Sequence, residues 1–429
     1  MNNLRRVKLG SFFTQSVAGE WGSEPTGIDD VTVYRAADFS KDCKLNVTEG
    51  ALRSVPKSKL SNRKLNRNDI LVEKSGGSPT QPVGRAVIYK PESDEQVATC
   101  SNFLQRLVVD EEYSPEFVYY LMLGLYQDNA TLPYQQQTTG IYNLKLEEYL
   151  QTEVDTYVDR NLQEKVADIL STIDNQIDAT QALIDKYTAI KQGMMADLFS
   201  RGIDPETKVL RPTFEEAPEL YHETPLGLLP KGWDVSDLGS ISLRVTDGSH
   251  QAVSTVENGD IPFLFVSCVR GGKILWDKCS YISKEDYHLI SKGREPRKGD
   301  ILYTAVGSYG HAALVSEDSE FSFQRHIAYI KPNNQFVDSS FLSEFLNSEQ
   351  TKSWADRVAL GNAQKTVTLG ELSKFPIVVP GKIEQEKIVV SLQRVNEVLE
   401  SEYADLSKLQ QTKQGLMQDL LTGKVPVPA

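Results

Sequence analysis

The residues of this chain best suited to bind a ligand form a run of basic side chains within residues 50–68. The run holds six cations and no acid: Arg53, Lys57, Lys59, Arg63, Lys64 and Arg67. Closely spaced cations of this kind can neutralise the phosphates of a nucleic acid. Charge runs are more often solvated surface loops. The run alone therefore leaves both interpretations open.

A second basic cluster lies at the corresponding place in the other half of the chain. It consists of Lys292, Arg294, Arg297 and Lys298, and Glu295 interrupts it. Each cluster precedes a similar motif, Asn68-Asp69-Ile70-Leu71 or Gly299-Asp300-Ile301-Leu302, and then a Gly/Ser-rich loop. Four further candidates for phosphate or base contact lie in or near these loops: Lys74, Arg85, Ser308 and Tyr309. The recurrence in both halves gives the phosphate-binding interpretation about the same weight as the solvated loop.

Motifs for catalysis are missing from the sequence. It contains no Asn-Pro-Pro-Tyr or Asp-Pro-Pro-Tyr, which an amino-methyltransferase needs to hold its target amine, and no dinucleotide or phosphate-binding glycine motif. The sequence Glu206-Thr207-Lys208 lies in a proline-rich stretch, which does not suit a nuclease site. The 5 histidines show no metal-ligand spacing. We expect no catalytic, cofactor-binding or metal-binding residues in this chain.

Composition indicates a water-soluble globular protein. The 429 residues suffice for two or three domains, and the contents of 40% hydrophobic and 24% charged residues are ordinary. No stretch reaches the length of a membrane span, and the N-terminus lacks the apolar core of a signal peptide. The 4 cysteines form no Cys-x-x-Cys pair. These features predict a cytoplasmic protein with free thiols.

The net charge of −13 is unevenly distributed. Residues 1–109 hold 16 basic and 12 acidic side chains, and residues 240–331 hold 11 of each. Residues 161–200 hold 3 basic and 6 acidic side chains, and residues 383–422 hold 4 and 7. A nucleic-acid partner therefore stays possible, because the acid is concentrated outside the neutral or basic parts.

Residues 161–200 are repeated, without a gap, at residues 383–422. The offset is a constant 222 positions, with 12 identities in 40 aligned residues; Gln163-Glu164-Lys165, for example, recurs as Gln385-Glu386-Lys387. A repeat of this length indicates two related halves in tandem and a pseudo-symmetric protein.

The repeated segment has the pattern of a long helix in a coiled coil. Apolar residues recur with a mean spacing of 3.5 residues, and one polar step interrupts both copies near mid-helix. A helix of 40 residues is about 60 Å long and needs a partner for its apolar stripe. Two unrelated amphipathic helices are the less favoured alternative, since the stripe and its interruption coincide at one offset. The predicted helix–helix residues are Val166, Leu170, Ile173, Ile177, Thr180, Ile184, Tyr187, Ile388, Leu392, Val395, Leu399, Glu402, Leu406 and Leu409.

The fold class is predicted to be α+β, with two mixed α/β modules that are each followed by a long helix. Short runs rich in branched residues predict strands at 31–34, 69–73, 85–89 and 104–109, and at 262–269, 300–305, 312–315 and 326–330. Helices are expected at 115–126 and 340–347. The predicted segments are a first module (1–157), a first long helix (158–202), a connector (203–231), a second module (232–380), a second long helix (381–424) and a tail (425–429).

The chain resembles the specificity subunit of a type I restriction-modification enzyme. The similarity covers the whole chain, and its most specific part is the end of the second long helix. The matching elements are Val379-Pro380, Ile383-Glu384-Gln385-Glu386-Lys387-Ile388, Lys413-Gln414-Gly415-Leu416-Met417, Asp419-Leu420-Leu421-Thr422-Gly423-Lys424, and Leu226-Gly227, Pro230 and Trp233 at the entry to the second half. The first half departs from the pattern, because it lacks the Pro-x-x-Trp entry and has Val154–Arg160 where the second half has Pro376–Lys382.

The resemblance implies two target recognition domains, each reading half of a split, asymmetric DNA site. It also implies that the two long helices pair antiparallel as a spacer. Two modification (methyltransferase) subunits, and then restriction subunits, would dock on this chain. S-adenosylmethionine, ATP and Mg would belong to those partners.

Two other functions stay open on the residues alone. One is a stand-alone DNA-binding regulator with two recognition modules, which would bind tightly and specifically without partners. The other is a coiled-coil scaffold that does not bind DNA at all.

Overall fold

The computed structural model describes residues 4–93, 95–138, 140–256, 259–361 and 364–427. The chain divides into two compact units. Unit 1 comprises Met1–Gln181 and Ala404–Ala429, and unit 2 comprises Ala182–Tyr403. Each unit contains one α/β module and a part of both long helices. The first module is residues 4–157, and the second module is residues 232–380.

The first module is built from short strands and a few helices. Its strands are β1 (Leu4–Lys8), β2 (Phe13–Ala18), β3 (Val31–Tyr34), β4 (Ala51–Arg53), β5 (Ile70–Glu73), β6 (Ser75–Gly77), β7 (Ala86–Ile88), β8 (Ala98–Cys100), β9 (Leu104–Val109), β10 (Gln135–Thr138), β11 (Ile141–Leu144) and β12 (Glu153–Tyr157). Its helices are α1 (Lys57–Leu60), α2 (Pro115–Gln127) and α3 (Leu146–Tyr149), and the first long helix, α4 (Arg160–Leu198), follows.

The connector and the second module are also built from short strands and a few helices. Their strands are β13 (Tyr221–Thr224), β14 (Gly227–Pro230), β15 (Asp234–Asp237), β16 (Ser242–Asp247), β17 (Ile261–Leu264), β18 (Val269–Arg270), β19 (Lys273–Ile274), β20 (Ser280–Ile282), β21 (Ile301–Thr304), β22 (Ala312–Leu314), β23 (Ser322–Phe323), β24 (Ile327–Pro332) and β25 (Pro376–Val379). Their helices are α5 (Lys284–Ile290), α6 (Ser339–Leu346), α7 (Glu349–Val358) and α8 (Leu369–Ser373), and α9 (Lys382–Leu421) is the second long helix.

The two modules share the topology of their two main sheets. Their central sheets have the orders β2-β9-β5-β7 and β16-β24-β21-β22, with antiparallel pairing throughout. Their second sheets, β4-β3-β8 and β20-β17-β23, each combine one antiparallel and one parallel pairing. In both modules the first strand pairs with the last, as β1–β12 and β15–β25. The predicted tandem arrangement, with a long helix after each module, is confirmed.

The repeated Leu-Gly-Ser sequence marks a close approach of two backbones in each module. The Gly10 N–H donates to the Leu150 carbonyl at 2.7 Å, and the Gly239 N–H donates to the Ser373 carbonyl at 2.8 Å. A Cβ atom would lie 3.1 Å from the Leu150 oxygen or 3.2 Å from the Ser373 oxygen. Glycine is therefore the residue that fits where the start of each module meets its final segment.

Some predicted elements need correction. The strand predicted at 262–269 ends at Leu264, because a 3-10 turn at Val266–Cys268 follows, in which the Cys268 sulfur accepts the Phe265 N–H. The proline-rich connector contains a hairpin, β13–β14. The missing prolines of the first half do not change the chain path, since β12 pairs with β1 as β25 pairs with β15.

Each module packs an α-helix, α2 or α6, on its central sheet. α2 begins at Ser114, whose side chain caps the Phe117 N–H, and α6 begins at Asp338, which caps the Phe341 N–H. Phe117 and Phe341 are both fully buried. Among the helices described, none is long and apolar enough to cross a membrane.

Candidate nucleic-acid interface

The basic run of the first module begins at Arg53, the last residue of β4, and continues toward β5. Acids from residues 20–29 approach it. Arg53 forms an ion pair with Glu24 at 2.7 Å, and its guanidinium lies 4.6 Å from the centre of the Trp21 ring. Lys57 pairs with Asp29 and Lys59 pairs with Glu20, both at 3.0 Å. The run contains no acid in the sequence, but in the folded module these three acids neutralise half of its six cations.

Two arginines of the same run hold backbone carbonyls. Arg63 Nε donates to the Ala18 carbonyl at 3.1 Å and its Nη1 donates to the Lys59 carbonyl at 3.0 Å. Arg67 Nη2 donates to the Pro91 carbonyl at 2.9 Å. Lys64 is exposed. These hydrogen bonds give Arg63 and Arg67 a structural role whether or not they also contact phosphate, and their contact with DNA stays a prediction.

Arg85 and Lys74 lie deeper in the first module. The Arg85 guanidinium faces the Glu73 carboxylate, with Nε–Oε2 at 2.8 Å and Nη2–Oε1 at 3.0 Å, and both side chains are almost fully buried. Burial opposes the charged form more than any single contact favours it, but the hydrogen bonds and the negative charge of Glu73, with smaller contributions from Cys43 and Tyr126, together raise the pKa of Arg85. Lys74 Nζ donates to Gln105 at 3.1 Å, and burial lowers the pKa of Lys74. Both cations are directed at protein groups, and their contact with DNA stays a prediction.

The basic cluster of the second module lies in the loop between α5 and β21 and is more accessible. Lys292, Arg297 and Lys298 are exposed, and Arg294 is half-buried. Within the described ranges, the side chains of these four residues take part in no ion pair. Arg297 and Lys298 border an open cleft of about 500 Å³, which Lys331, Asn333 and Asn334 also line. Of the two predicted clusters, the second is the better placed to bind phosphate.

The motif that follows each cluster has a structural explanation. Asn68 and Gly299 adopt positive φ angles of 73° and 91°, which favour asparagine and glycine. The next residue is a buried aspartate whose carboxylate accepts a backbone N–H three residues earlier: Asp69 from Asn66 at 2.7 Å, and Asp300 from Arg297 at 2.8 Å. The repeated motif therefore closes a turn.

Each of these aspartates also accepts a hydrogen bond from a side chain on an inner strand of the central sheet. Arg106 on β9 donates to Asp69 at 2.6 Å, and the Tyr329 hydroxyl on β24 donates to Asp300 at 2.7 Å. Burial raises the pKa of Asp69, although the hydrogen bond from Arg106 opposes this shift. The two turns therefore fix their basic loops at equivalent positions of the two modules, although the side chain that anchors the aspartate differs: Arg106 in the first and Tyr329 in the second.

The loop after β21 carries the last two candidates. Ser308 is exposed, and the Tyr309 hydroxyl donates to Asp356 Oδ1 at 2.6 Å. This hydrogen bond is the main reason that the pKa of Tyr309 is raised. Tyr309 is therefore tied to α7, while Ser308 is accessible.

The turn after the central strand β24 was not predicted as part of the site. It reads Asn333-Asn334-Gln335, and the equivalent turn after β9 reads Asp110-Glu111-Glu112. The two turns have the same hydrogen bonds. Asn333 N–H donates to the Ile241 carbonyl and Asp110 N–H to the Phe12 carbonyl. The Asn333 side chain accepts a hydrogen bond from the Gln335 N–H, and the Asp110 side chain accepts one from the Glu112 N–H. The three acids of the first turn are thus three amides in the second, so the second turn brings no carboxylate to Lys331 or to the Arg297–Lys298 cleft. Aligning the two modules on their strand ends would have revealed this substitution.

In each unit, the first residues of the predicted apolar stripe are buried in a hydrophobic core. In unit 1, Val166 and Leu170 share a buried core with Met417 and Leu420, and in unit 2, Ile388 and Leu392 share one with Met195 and Leu198. Ile184 is also buried, and the other predicted stripe residues are half-buried: Ile173, Ile177, Thr180, Tyr187, Val395, Leu399, Glu402, Leu406 and Leu409.

Contacts within unit 1 show the direction of this pairing. The Tyr157 hydroxyl, just before α4, donates to the Leu420 carbonyl at 2.5 Å, and Asp174 contacts Lys413 at 2.6 Å. Residue numbers therefore rise along α4 as they fall along α9, which is an antiparallel arrangement.

The connector is fixed to the start of α9 by a buried carboxylate. Glu384 accepts hydrogen bonds from the Arg211 guanidinium, from Trp233 Nε1 at 3.0 Å and from the Ile203 N–H at 2.9 Å. The side chain of Glu384 is 4% exposed. In the first half, Leu162 occupies the equivalent position, so this network belongs to the second half alone.

Comparison with known proteins finds similarity to one family, strongest in the second half of the chain. Residues 230–411 match the model of the type I restriction modification DNA specificity domain. The chain is 25% identical over 271 residues to the type I restriction enzyme MjaVIII specificity subunit of Methanocaldococcus jannaschii, which covers 62% of this chain and 60% of that protein. It is 28% identical over 231 residues to the type I restriction enzyme EcoBI specificity subunit of Escherichia coli, covering 53% of this chain and 48% of that protein. The alignments therefore span about half to three fifths of these relatives.

The fold has a solved counterpart. The crystal structure of a type I restriction-modification system S subunit from M. genitalium aligns with a TM-score of 0.58 and 16% sequence identity, over 100% of this chain and 97% of that one. Across the described ranges no group of three or more His, Cys, Asp or Glu side chains is arranged to hold a metal ion.

Proposed function

We propose that this chain, which is similar to type I restriction-modification specificity subunits, is the DNA sequence recognition subunit of such a complex. The observation that carries the proposal is the duplicated module. Two α/β modules share one topology but differ in the loops that follow their strands. Such a chain can present two different reading surfaces on one framework.

The DNA site is proposed to be bipartite and asymmetric. The two basic loops are held by equivalent aspartate turns, while the residues around them differ in charge. Cations position a protein on the phosphate backbone, and base contacts from neighbouring loops specify the sequence. We expect the Arg297–Lys298 cleft of the second module to make the stronger phosphate contacts.

The chain itself is proposed to be non-catalytic. Methyltransferase subunits would dock on it first, and restriction subunits would join them. S-adenosylmethionine, ATP and Mg would act in those partners. The proposal places the chain in the cytoplasm, where it would reach DNA.

The test is a selection on random duplex DNA with the full chain and its modification subunits. A family of enriched sequences with two short specified segments and an unspecified gap is the expected result. Methylome sequencing with and without the gene should find the same sequence. Enrichment of one uninterrupted segment, or none, would contradict the proposal.

The same experiment separates the alternatives. A stand-alone regulator would give tight, specific enrichment without the modification subunits. A scaffold without a DNA role would not shift duplex DNA with or without them.

A further inference from the structure

Each unit holds one half-buried lysine of a long helix in a small polar cluster. In unit 1, Lys413 Nζ lies 2.6 Å from Asp174 Oδ1, and the two side chains are 12% and 10% exposed. The Tyr120 hydroxyl donates to the other Asp174 oxygen at 2.8 Å. Lys413 Nζ also lies 5.8 Å from the centre of the Tyr120 ring. The cluster therefore joins α9, α4 and the module helix α2.

Unit 2 contains a matching cluster with a different distribution of charge. Lys191 Nζ lies 3.1 Å from Glu344 Oε2, and both side chains are 19% exposed. Asn396 Nδ2 donates to the other Glu344 oxygen at 2.8 Å. Here the acid belongs to the module helix α6, and the long helix α9 supplies a neutral amide.

The positions in the two clusters are equivalent. Lys191 and Lys413 are separated by the repeat offset of 222 residues, and so are Asp174 and Asn396. Tyr120 and Glu344 are each the sixth residue after the N-cap of their helix, Ser114 or Asp338. One acid is present in each cluster, but it has moved from the long helix to the module.

We infer that these clusters form a pairing code between each module and the long helix that follows it. The two elements together must supply one acid to the half-buried lysine. With no acid the ammonium would be buried without a counter-charge, and with two acids a carboxylate would be buried without one. Either state is costly, because an uncompensated charge in the interior loses its hydration.

The code predicts which modules can be exchanged. A module with a glutamate at the position of Glu344, placed before α4, would meet Asp174 and bring two acids. A module with a tyrosine at the position of Glu344, placed before α9, would meet Asn396, and the cluster would then contain no acid. Exchange would then require a compensating change on the long helix. The code rests on the proposed function only in that these modules are the ones that read DNA.

A cycle of isosteric changes in unit 2 tests the code in the full chain. Glu344→Gln removes the only acid, and Asn396→Asp adds a second. Each single change should lower the Tm of unit 2 by on the order of 10 °C. The double variant E344Q/N396D relocates the acid and should recover most of that loss. If the double variant were as unstable as the two single losses added together, the code would be wrong.

Two further variants keep the test decisive. E344Q/K191M removes both charges and should also recover stability, since an apolar replacement needs no counter-charge. Glu397→Gln, at an exposed position of α9, is the matched control and should leave the Tm unchanged. If the single variants fail to fold, a folded E344Q/N396D protein still supports the code, and a double variant that also fails to fold overturns it.

Because unfolding is measured without DNA, this result is independent of the proposed function. A chain that showed the expected recovery but bound no DNA would contradict the function and leave the pairing code standing.

Discussion

Gln163 and Gln385 make the same pair of hydrogen bonds at the start of their long helices, and Gln385 also donates to the Phe336 carbonyl at 3.1 Å. Gln163 accepts the Ser114 N–H and donates to the Tyr157 carbonyl, both at 2.9 Å. Gln385 accepts the Asp338 N–H at 2.7 Å and donates to the Pro380 carbonyl at 2.8 Å. Both amides are buried. An amide side chain can accept and donate at once, which explains why glutamine recurs at these two positions.

Changing Gln385 to glutamate should destabilise unit 2. The acceptor toward Asp338 is kept, but the donor to the Pro380 and Phe336 carbonyls is removed and the buried Pro380 oxygen is left unsatisfied. We expect a decrease of about 1–3 kcal/mol in the free energy of unfolding, measured by denaturant titration. Gln414→Glu changes an exposed glutamine of the same helix and is the control. Equal stability of the two variants would show that the buried amide has no such role.

The basic loop of the second module should contribute to the salt dependence of DNA binding. Arg297→Ala with Lys298→Ala should weaken binding to all sequences. The slope of log K against log[salt] should flatten by up to about one for each phosphate that is no longer neutralised. Both side chains border the cleft and form no ion pair within the described ranges, so folding should be little affected.

The matched control for this experiment is Lys57→Ala with Lys59→Ala in the first module. Those lysines already pair with Asp29 and Glu20. Their removal should change the slope less. A slope unchanged by the Arg297 and Lys298 substitutions would exclude the cleft as a phosphate-binding surface.

The Glu384 carboxylate should be essential for the stability of the connector. Glu384→Gln leaves the Arg211 guanidinium, which is 12% exposed, without its counter-charge. Breaking a buried pair in this way costs about 3–5 kcal/mol. Limited proteolysis should then cut residues 203–231 more rapidly. Glu386→Gln, exposed on the same helix, should have little effect, and equal proteolysis of the two variants would count against the role given to Glu384.

Sequence periodicity and the internal repeat were sufficient to predict the tandem modules and the two long helices. The 3.5-residue stripe is a direct consequence of burying one helix face, so the positions of Leu170 and Leu392 in the stripe were enough to predict that both are buried. Strands such as β3 and β9 were also found, because branched residues between turn signals reflect a half-buried sheet.

The candidate site was less predictable, because charge neutralisation occurs in three dimensions. Arg53 and Lys59 lie in an acid-free stretch, yet Glu24 and Glu20 reach them from about thirty or forty residues earlier. Arg85 is buried by its pair with Glu73 on the neighbouring strand. A linear charge count cannot detect partners that are brought in by strand pairing. For this reason the sequence identified the basic loops but not which of them are available to DNA.

Exchange of the second module should change one half of the DNA site. Residues 232–376 would be replaced by the equivalent module of a related subunit that has glutamate at the position of Glu344, so that the pairing with Asn396 is kept. The modified sequence should then differ in one specified segment and retain the other. Methylation-site sequencing measures both segments at once. A change in both segments, or in neither, would contradict independent reading by the two modules.

The length of the long helices should set the gap between the two half-sites. α4 is continuous from Arg160 to Leu198, and Thr180 lies near its middle. Four alanines inserted after Thr180 lengthen the helix by about 6 Å, while one base pair spans about 3.4 Å of duplex. The preferred gap should therefore shift by one or two base pairs, and the half-site sequences should stay the same. Four residues are close to one turn of about 3.6 residues, so the apolar stripe stays nearly in phase and the chain should still fold. Methylation of duplexes that differ only in gap length is the measurement, and the same four alanines inserted after Lys424, beyond the end of α9, are the control. A folded insertion variant that still preferred the original gap would show that the helices do not determine the spacing.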